Sequence, residues 1–266
     1  MRDVPVEARR GNVYDRNGNE LVTSISVDSA YAFPPQIEAK REESDKIALA
    51  LGMDKEEVYQ KLTQDVGFVW LKRRIDYQSA QKLKALEING VELVEENRRF
   101  YRQESLAAHV LGFVGDDNQG LIGIEGVYDK ELKGSPGRIV IEKDAVGRNI
   151  PEALHKFIPP VPGQNLVLTI DQTIQFFVER ELDKIVDTHH RKLAVIIVMN
   201  PKTGEILAMG NRPTFNPGDW RKYPQQVWDH NPSICYNYEP GSTFKIITAA
   251  SALEEGAVRL NDKFYD

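Results

Sequence analysis

The stretch Tyr238-Glu239-Pro240-Gly241-Ser242-Thr243-Phe244-Lys245, with the run that follows it to Gly256, is the most informative piece of this 266-residue sequence. Pro240-Gly241 breaks the chain. Ser242 to Glu255 then reads as one helix, closed by Gly256 where a glycine is wanted after the last turn. Phe244, Ile246, Ile247, Ala249, Ala250, Ala252 and Leu253 leave hardly any polar face, which predicts a helix buried in the middle of a domain. Lys245 is the exception. It follows Ser242 by three residues, one turn on along the same face, so its amine is within reach of the serine oxygen.

That spacing has a chemical reading. Serine is a poor nucleophile until a neighbouring base takes its proton, and a lysine can be that base once desolvation lowers its pKa. A helix start adds free N–H groups and a positive dipole end, suited to an oxyanion formed when a carbonyl is attacked. A second reading stays open on these residues alone: Ser242 as an N-cap and Lys245 as a solvent-facing cation, although a cation in the first turn opposes the dipole and its neighbours are apolar. Ser79-Ala80-Gln81-Lys82 repeats the spacing, but mid-helix beside Lys84, as on a solvated face.

Working outward, a polar, proline-rich stretch from Asn211 to Tyr238 shows little periodicity. Before it, the β-rich runs Ala194 to Met199 and Glu205 to Met209 flank Asn200-Pro201-Lys202-Thr203-Gly204, which predicts a hairpin. Asp171 can cap a helix through Phe176, Leu182 and Ile185, preceded by a short strand at Leu166 to Thr169. The densest break is Ile158-Pro159-Pro160-Val161-Pro162-Gly163, where neither helix nor central strand can continue. It divides the chain into 1–157, a linker 158–165 and 166–266. Upstream, Gln36 to Leu51, Lys55 to Leu62 and Asp76 to Leu86 read as helices, and Phe68 to Arg73 and Val91 to Phe100 as strands. A short helix at Leu106 to Leu111, a glycine-punctuated segment, a helical turn near Tyr128 to Leu132 and a strand at Arg138 to Glu142 complete an α+β region.

Composition narrows the function classes. With 34 basic against 40 acidic residues, a net charge of −6 and no single-sign block, nucleic acid is an unsuitable partner. The longest apolar run, Leu193 to Met199, is far short of the roughly 18 residues of a membrane helix. Cys235 is the single cysteine, which excludes an internal disulfide and a cysteine-based metal cluster; with no histidine partner it reads as a buried or idle thiol. His189 and His190 lack a spaced ligand set and read as a solvated helix end. No metal or cofactor is expected.

Tyr238 to Lys245 resembles the active-site serine segment of class B penicillin-binding proteins, which cross-link peptidoglycan stem peptides. Arg10-Gly11-Asn12-Val13-Tyr14-Asp15-Arg16-Asn17-Gly18 looks like the family's segment after the membrane anchor. Gly120 to Tyr128, Gly134 to Arg138 and Asp144 to Gly147 are similar to its pedestal domain, and Leu168 to Asp171 and Asn200 to Met209 to the opening of its transpeptidase domain. The resemblance implies an α+β fold: an elongated pedestal domain of dimerisation type, then the incomplete N-terminal part of a serine DD-peptidase/β-lactamase-like domain. It implies that Ser242 is acylated by the terminal D-Ala-D-Ala of a stem peptide, or by a β-lactam, that Lys245 is the general base and that the Ser242 N–H is half of the oxyanion hole. It further implies a single-pass membrane anchor, catalysis on the outer face of the membrane, partners among cell-wall synthesis proteins including a membrane-embedded glycan polymerase, and self-association through the pedestal.

Such sites also use a Ser-x-Asn and a Lys-Thr-Gly on a strand. The first is absent from the sequence, and Lys202-Thr203-Gly204 precedes the serine in a predicted turn. Since Asp266 is 24 positions after Ser242 (266 − 242), these 266 residues are expected not to catalyse cross-linking by themselves. Arg102 stands where the family pattern leads one to expect proline, and Pro232 where arginine is common. The competing readings are a β-lactamase or a penicillin sensor, neither of which needs a long pedestal, and a non-catalytic pedestal scaffold.

Overall fold

The computed structural model describes residues 2–141 and 156–263. Asp144 to Gly147, and Glu142 of the strand expected there, lie outside the described residues. In chain order the elements are β1 (Arg2–Val6), β2 (Val13–Tyr14), β3 (Glu20–Ala32), α1 (Lys40–Leu51), α2 (Lys55–Thr63), β4 (Val69–Ile75), α3 (Tyr77–Lys84), β5 (Val91–Tyr101), α4 (Ala108–Leu111), β6 (Phe113–Val114), β7 (Gly120–Ile122), α5 (Gly123–Val127) and α6 (Asp129–Lys133). Then come β8 (Gly137–Ile141), β9 (Lys156–Ile158), β10 (Leu166–Val167), α7 (Gln172–His189), β11 (Ala194–Met199), β12 (Ile206–Arg212), α8 (Gln225–Trp228), α9 (Pro232–Cys235) and α10 (Lys245–Glu254). The fold is α+β, as the sequence predicts.

β3, 13 residues long, organises the first unit and lies in a stretch where the sequence analysis assigned no element. β5 runs antiparallel to it in unbroken register from Val22↔Tyr101 to Ala32↔Val91. β2 and β4 share its other edge, and β10 adds to β2 in parallel. Ala30 and Ala32 of β3, with Leu71 and Ile75 of β4, face Ile47, Leu51, Val58, Leu62 and Leu83 of the three helices in one core. Each such large aliphatic side chain contributes about 1.5–3 kcal/mol on burial. α1 begins at Lys40 rather than Gln36, because Pro34-Pro35 hold a 3₁₀ turn first. Asp54 caps α2 by accepting from the Glu56 and Glu57 N–H groups.

A second core mixes both halves of the sequence: Val13, Val22, Leu111, Phe113 and Leu132 pack with Phe215, and Phe113 stacks on Trp220 at 4.4 Å. Above it, Arg10 and Glu125 join two of the motifs quoted above. Arg10 Nε donates to Glu125 Oε2 and Arg99 Nε to Glu125 Oε1, both at 2.6 Å. Arg10 also reaches Asp129 Oδ1 at 2.6 Å. The stretch expected as a linker, 158–165, is hydrogen-bonded to the first unit: Gly163 N–H donates to Arg9 O at 2.9 Å and Gln164 N–H to Glu131 O at 2.8 Å.

Candidate active site

The segment containing Ser242 follows a third packing unit, the β11–β12 hairpin on α7. Val178 and Leu182 of α7 bury against Ala208 of β12, and Asp171 caps the helix as expected, accepting from Thr173 and Ile174 N–H. Asp15, in the turn between β2 and β3, takes a further N–H of that helix start, from Gln172 at 3.1 Å. Burial pushes the Asp15 carboxyl up, but the hydrogen bonds from Asn19, Gln172 and Asn17 outweigh this and leave it below the usual value.

Three polar side chains of this unit escaped the sequence reading. Gln175 is fully buried and treats Met209 as a strand partner would, accepting from its N–H at 2.8 Å and donating to its carbonyl at 3.0 Å. Glu179 accepts from Ala107 N–H of the first unit at 2.7 Å. Arg212 donates through Nε to Asp183 Oδ1 at 2.5 Å and through Nη2 to Glu179 O at 3.0 Å. The one local signal was Gln175 and Glu179 four residues apart, beside Val178 and Leu182 on the apolar face of a helix.

The polar run after β12 is tied back by Asn211, which donates to Asn231 Oδ1 at 2.9 Å and accepts from Ser233 Oγ at 2.5 Å. Asn231 caps α9 and Pro232 takes its first position, where a missing N–H costs nothing. Gly241 then adopts φ +55°, and residues Gly241–Phe244 form a 3₁₀ turn that runs into α10. Lys245 N–H donates to Ser242 O, so the two residues stand one turn apart at the helix start. Gly256, at φ +67°, ends the helix, with Ala257 N–H donating to Ala252 O at 2.9 Å.

Ser242 stands at the start of the helix, in a first turn that is 3₁₀. One expectation is corrected: the helix is not buried, for Ser242 and Lys245 are exposed, and Ile246 is 71% and Ile247 57% accessible. The physical reason is that α10 buries no residue against any described element, so nothing here supplies the desolvation a lysine base requires. Among the described residues no side chain bonds Ser242 or Lys245, to each other or elsewhere.

The other candidates resolve simply. Lys202-Thr203-Gly204 is the hairpin turn, as predicted, with Gly204 at φ +77° donating to Asn200 O at 2.8 Å. Ser79 is not mid-helix but in the first turn of α3, where Asp76 accepts from its N–H at 2.9 Å and its hydroxyl at 2.7 Å. His189 ends α7, and His190 caps it at φ +50°. Cys235 is exposed rather than buried.

Comparison with known proteins places these features in one family. Residues 5–168 match the penicillin-binding protein dimerisation domain and residues 194–266 the penicillin-binding protein transpeptidase domain. Stage V sporulation protein D of Bacillus subtilis strain 168 is 40% identical over 269 residues, covering 100% of this chain and 42% of that protein. Peptidoglycan D,D-transpeptidase FtsI of Escherichia coli K12 is 31% identical over 268 residues, covering 98% of this chain and 45% of that protein. The chain thus spans less than half the length of these curated relatives. A peptidoglycan synthetase from Bifidobacterium adolescentis, solved by crystallography, superposes with a TM-score of 0.67 at 26% identity, over 99% of this chain and 53% of that one. The dimerisation match takes in the larger part of the sequence, including the motifs that Arg10 and Glu125 join in space, and the chain belongs to the class B penicillin-binding protein family.

Proposed function

We propose that this chain carries the nucleophile segment of a peptidoglycan D,D-transpeptidase, with Ser242 as nucleophile and Lys245 as its general base. The observation that supports this most is the 3₁₀ turn in which the Lys245 N–H meets the Ser242 carbonyl, since it sets both side chains at one helix start. Lys245 takes the hydroxyl proton as Ser242 Oγ attacks the carbonyl of the penultimate D-alanine. The Ser242 N–H, at the positive end of the helix dipole, faces the oxyanion. The intermediate collapses with the proton returned to the departing D-alanine, leaving an ester on Ser242. The amine of a second stem peptide then displaces the serine, forming the cross-link and restoring the hydroxyl. A β-lactam opens by the same first attack but has no leaving group that departs, so its ester persists.

In this reading residues 1–157 are the pedestal, 158–165 join it to the catalytic part and 166–266 begin the transpeptidase domain. The protein works on the outer face of the cell membrane, with stem peptides as substrates and a membrane-embedded glycan polymerase among its partners. The exposure of Ser242 and Lys245 favours a second reading, a scaffold that docks partners through the pedestal.

The test uses the product of the complete reading frame with a donor peptide ending in D-Ala-D-Ala and an amine acceptor. Transpeptidation releases D-alanine in step with a new amide, and Ser242→Ala abolishes both. Hydrolysis of a β-lactam without amide formation would indicate a β-lactamase. No reaction and no acylation would indicate the scaffold.

A further inference from the structure

We infer that the outer edge of β5, with the groove between it and α3, is a docking site for an extended cationic segment of a partner polypeptide, which adds to the pedestal sheet as one more strand. The backbone register defines the edge. Arg102 N–H donates to Leu21 O and Phe33 N–H to Gly90 O, both continuing the β3–β5 pairing. In an antiparallel ladder the hydrogen-bonded residues alternate, so the even-numbered residues of β5 bond to β3 and the odd-numbered ones point their N–H and C=O groups outward. Asn97 agrees: its carbonyl accepts from the Asn118 side chain at 2.9 Å. Among the described residues nothing bonds the outward backbone groups of Leu93 and Glu95.

Its register against β3 has no bulge and no proline over 11 residues, so of the usual means of discouraging an added strand it carries charged side chains, which select among partners by sign. Beside it lies a groove of about 510 Å³ whose floor is Leu83, Ile88 and Leu93. A strand laid on the edge would send every second side chain into that groove.

Charge selects the occupant. Asp28, Glu87, Glu92 and Glu95 border the groove with Lys84 as the sole cation, and none of these carboxylates is in an ion pair among the described residues. A second copy pairing edge to edge would bring like charges together, whereas a partner alternating apolar and basic residues fills the floor and neutralises the rim. The groove lies inside the matched dimerisation domain, apart from Ser242, so the inference stands independently of the catalytic reading.

The experiment titrates the 266-residue chain against a fluorescein-labelled acetyl-Lys-Val-Arg-Val-Lys-amide by anisotropy, and reads amide exchange on the chain. Expected are saturable binding, slowed exchange at the Leu93 and Glu95 amides, at least tenfold weaker binding of the glutamate-for-basic peptide, and loss of binding when alternate peptide amides on the pairing side are methylated. Glu95→Pro removes an outward N–H without touching the β3 ladder and is expected to lower affinity at least fivefold with unchanged melting; Glu87→Gln, which leaves the backbone alone, is expected to lower it two- to threefold. The inference is overturned by absence of binding, by equal binding of the acidic or methylated peptide, by protection elsewhere, or by concentration-dependent self-association that protects the same two amides.

Discussion

Arg10 and Glu125 form a fully buried ion pair, Nε to Oε2 at 2.6 Å, and Glu125 holds Arg99 with its other oxygen at the same distance. A guanidinium from the start of the chain and another from β5 are thus both held by one carboxylate in α5, with Asp129 supplying the second negative charge to Arg10. Two motifs more than a hundred residues apart in sequence become one structural joint.

Removing the carboxylate strands a buried cation at Arg99, since Asp129 still reaches Arg10 but not Arg99. Glu125→Gln, which keeps the shape, is expected to lower unfolding free energy by about 3–5 kcal/mol in urea denaturation, with Arg99 left unpaired. A loss below about 1 kcal/mol would mean that the joint is ornamental.

Backbone crowding at Gly163 gives a second expectation. A Cβ there would stand 1.7 Å from Leu132 O and 3.0 Å from Gly11 N, both main-chain atoms that cannot swing aside. Gly163→Ala is expected to cost about 1–3 kcal/mol or more by forcing the 158–165 stretch off the first unit. Denaturation together with protease sensitivity after Ile158 would register it; a melting curve identical to the parent's would refute it.

His109 reports on pH. Burial lowers its pKa below 6.5, Arg212 and His230 add to the lowering, and the Nε2 contact with Val227 O at 2.8 Å opposes it only in part. The folded state therefore favours the neutral ring. The stability it contributes is present above about pH 6.5 and is lost as pH falls through that value toward the folded pKa. The parent is expected to lose stability between pH 7.5 and 5.5 relative to His109→Gln; parallel curves would contradict this.

Much of the fold was legible locally. The hairpin, the Asp171 cap and the Ser242 turn depend on residues close in sequence, and each stands where proline, glycine or aspartate pointed. β3 was not legible, because its period-2 pattern is interrupted by Ser24 and Ser29, which are buried and paired with Arg99 and Glu96 from a distant strand. Gln175 and Glu179 were missed for the same reason: their partners, Met209 and Ala107, are remote. The burial of α10 was read from an apolar pattern that states what the helix prefers, whereas its exposure reflects what surrounds it in these residues.

Sequence strings that imitate the site should be inert. Ser79 is engaged by Asp76, and Lys202 sits in the hairpin turn. Ser79→Ala and Lys202→Ala are each expected to leave penicillin labelling of the complete gene product within twofold of the parent, as read by gel fluorescence. A loss beyond tenfold from Lys202→Ala would return that triplet to the binding site.

The assignment of Ser242 is tested most directly by mass spectrometry of the complete gene product after incubation with a fluorescent penicillin. The account predicts one adduct, on the peptide containing Ser242, absent in Ser242→Ala and formed at least a hundredfold more slowly in Lys245→Ala. An adduct on any other residue, or undiminished labelling of Ser242→Ala, would contradict it.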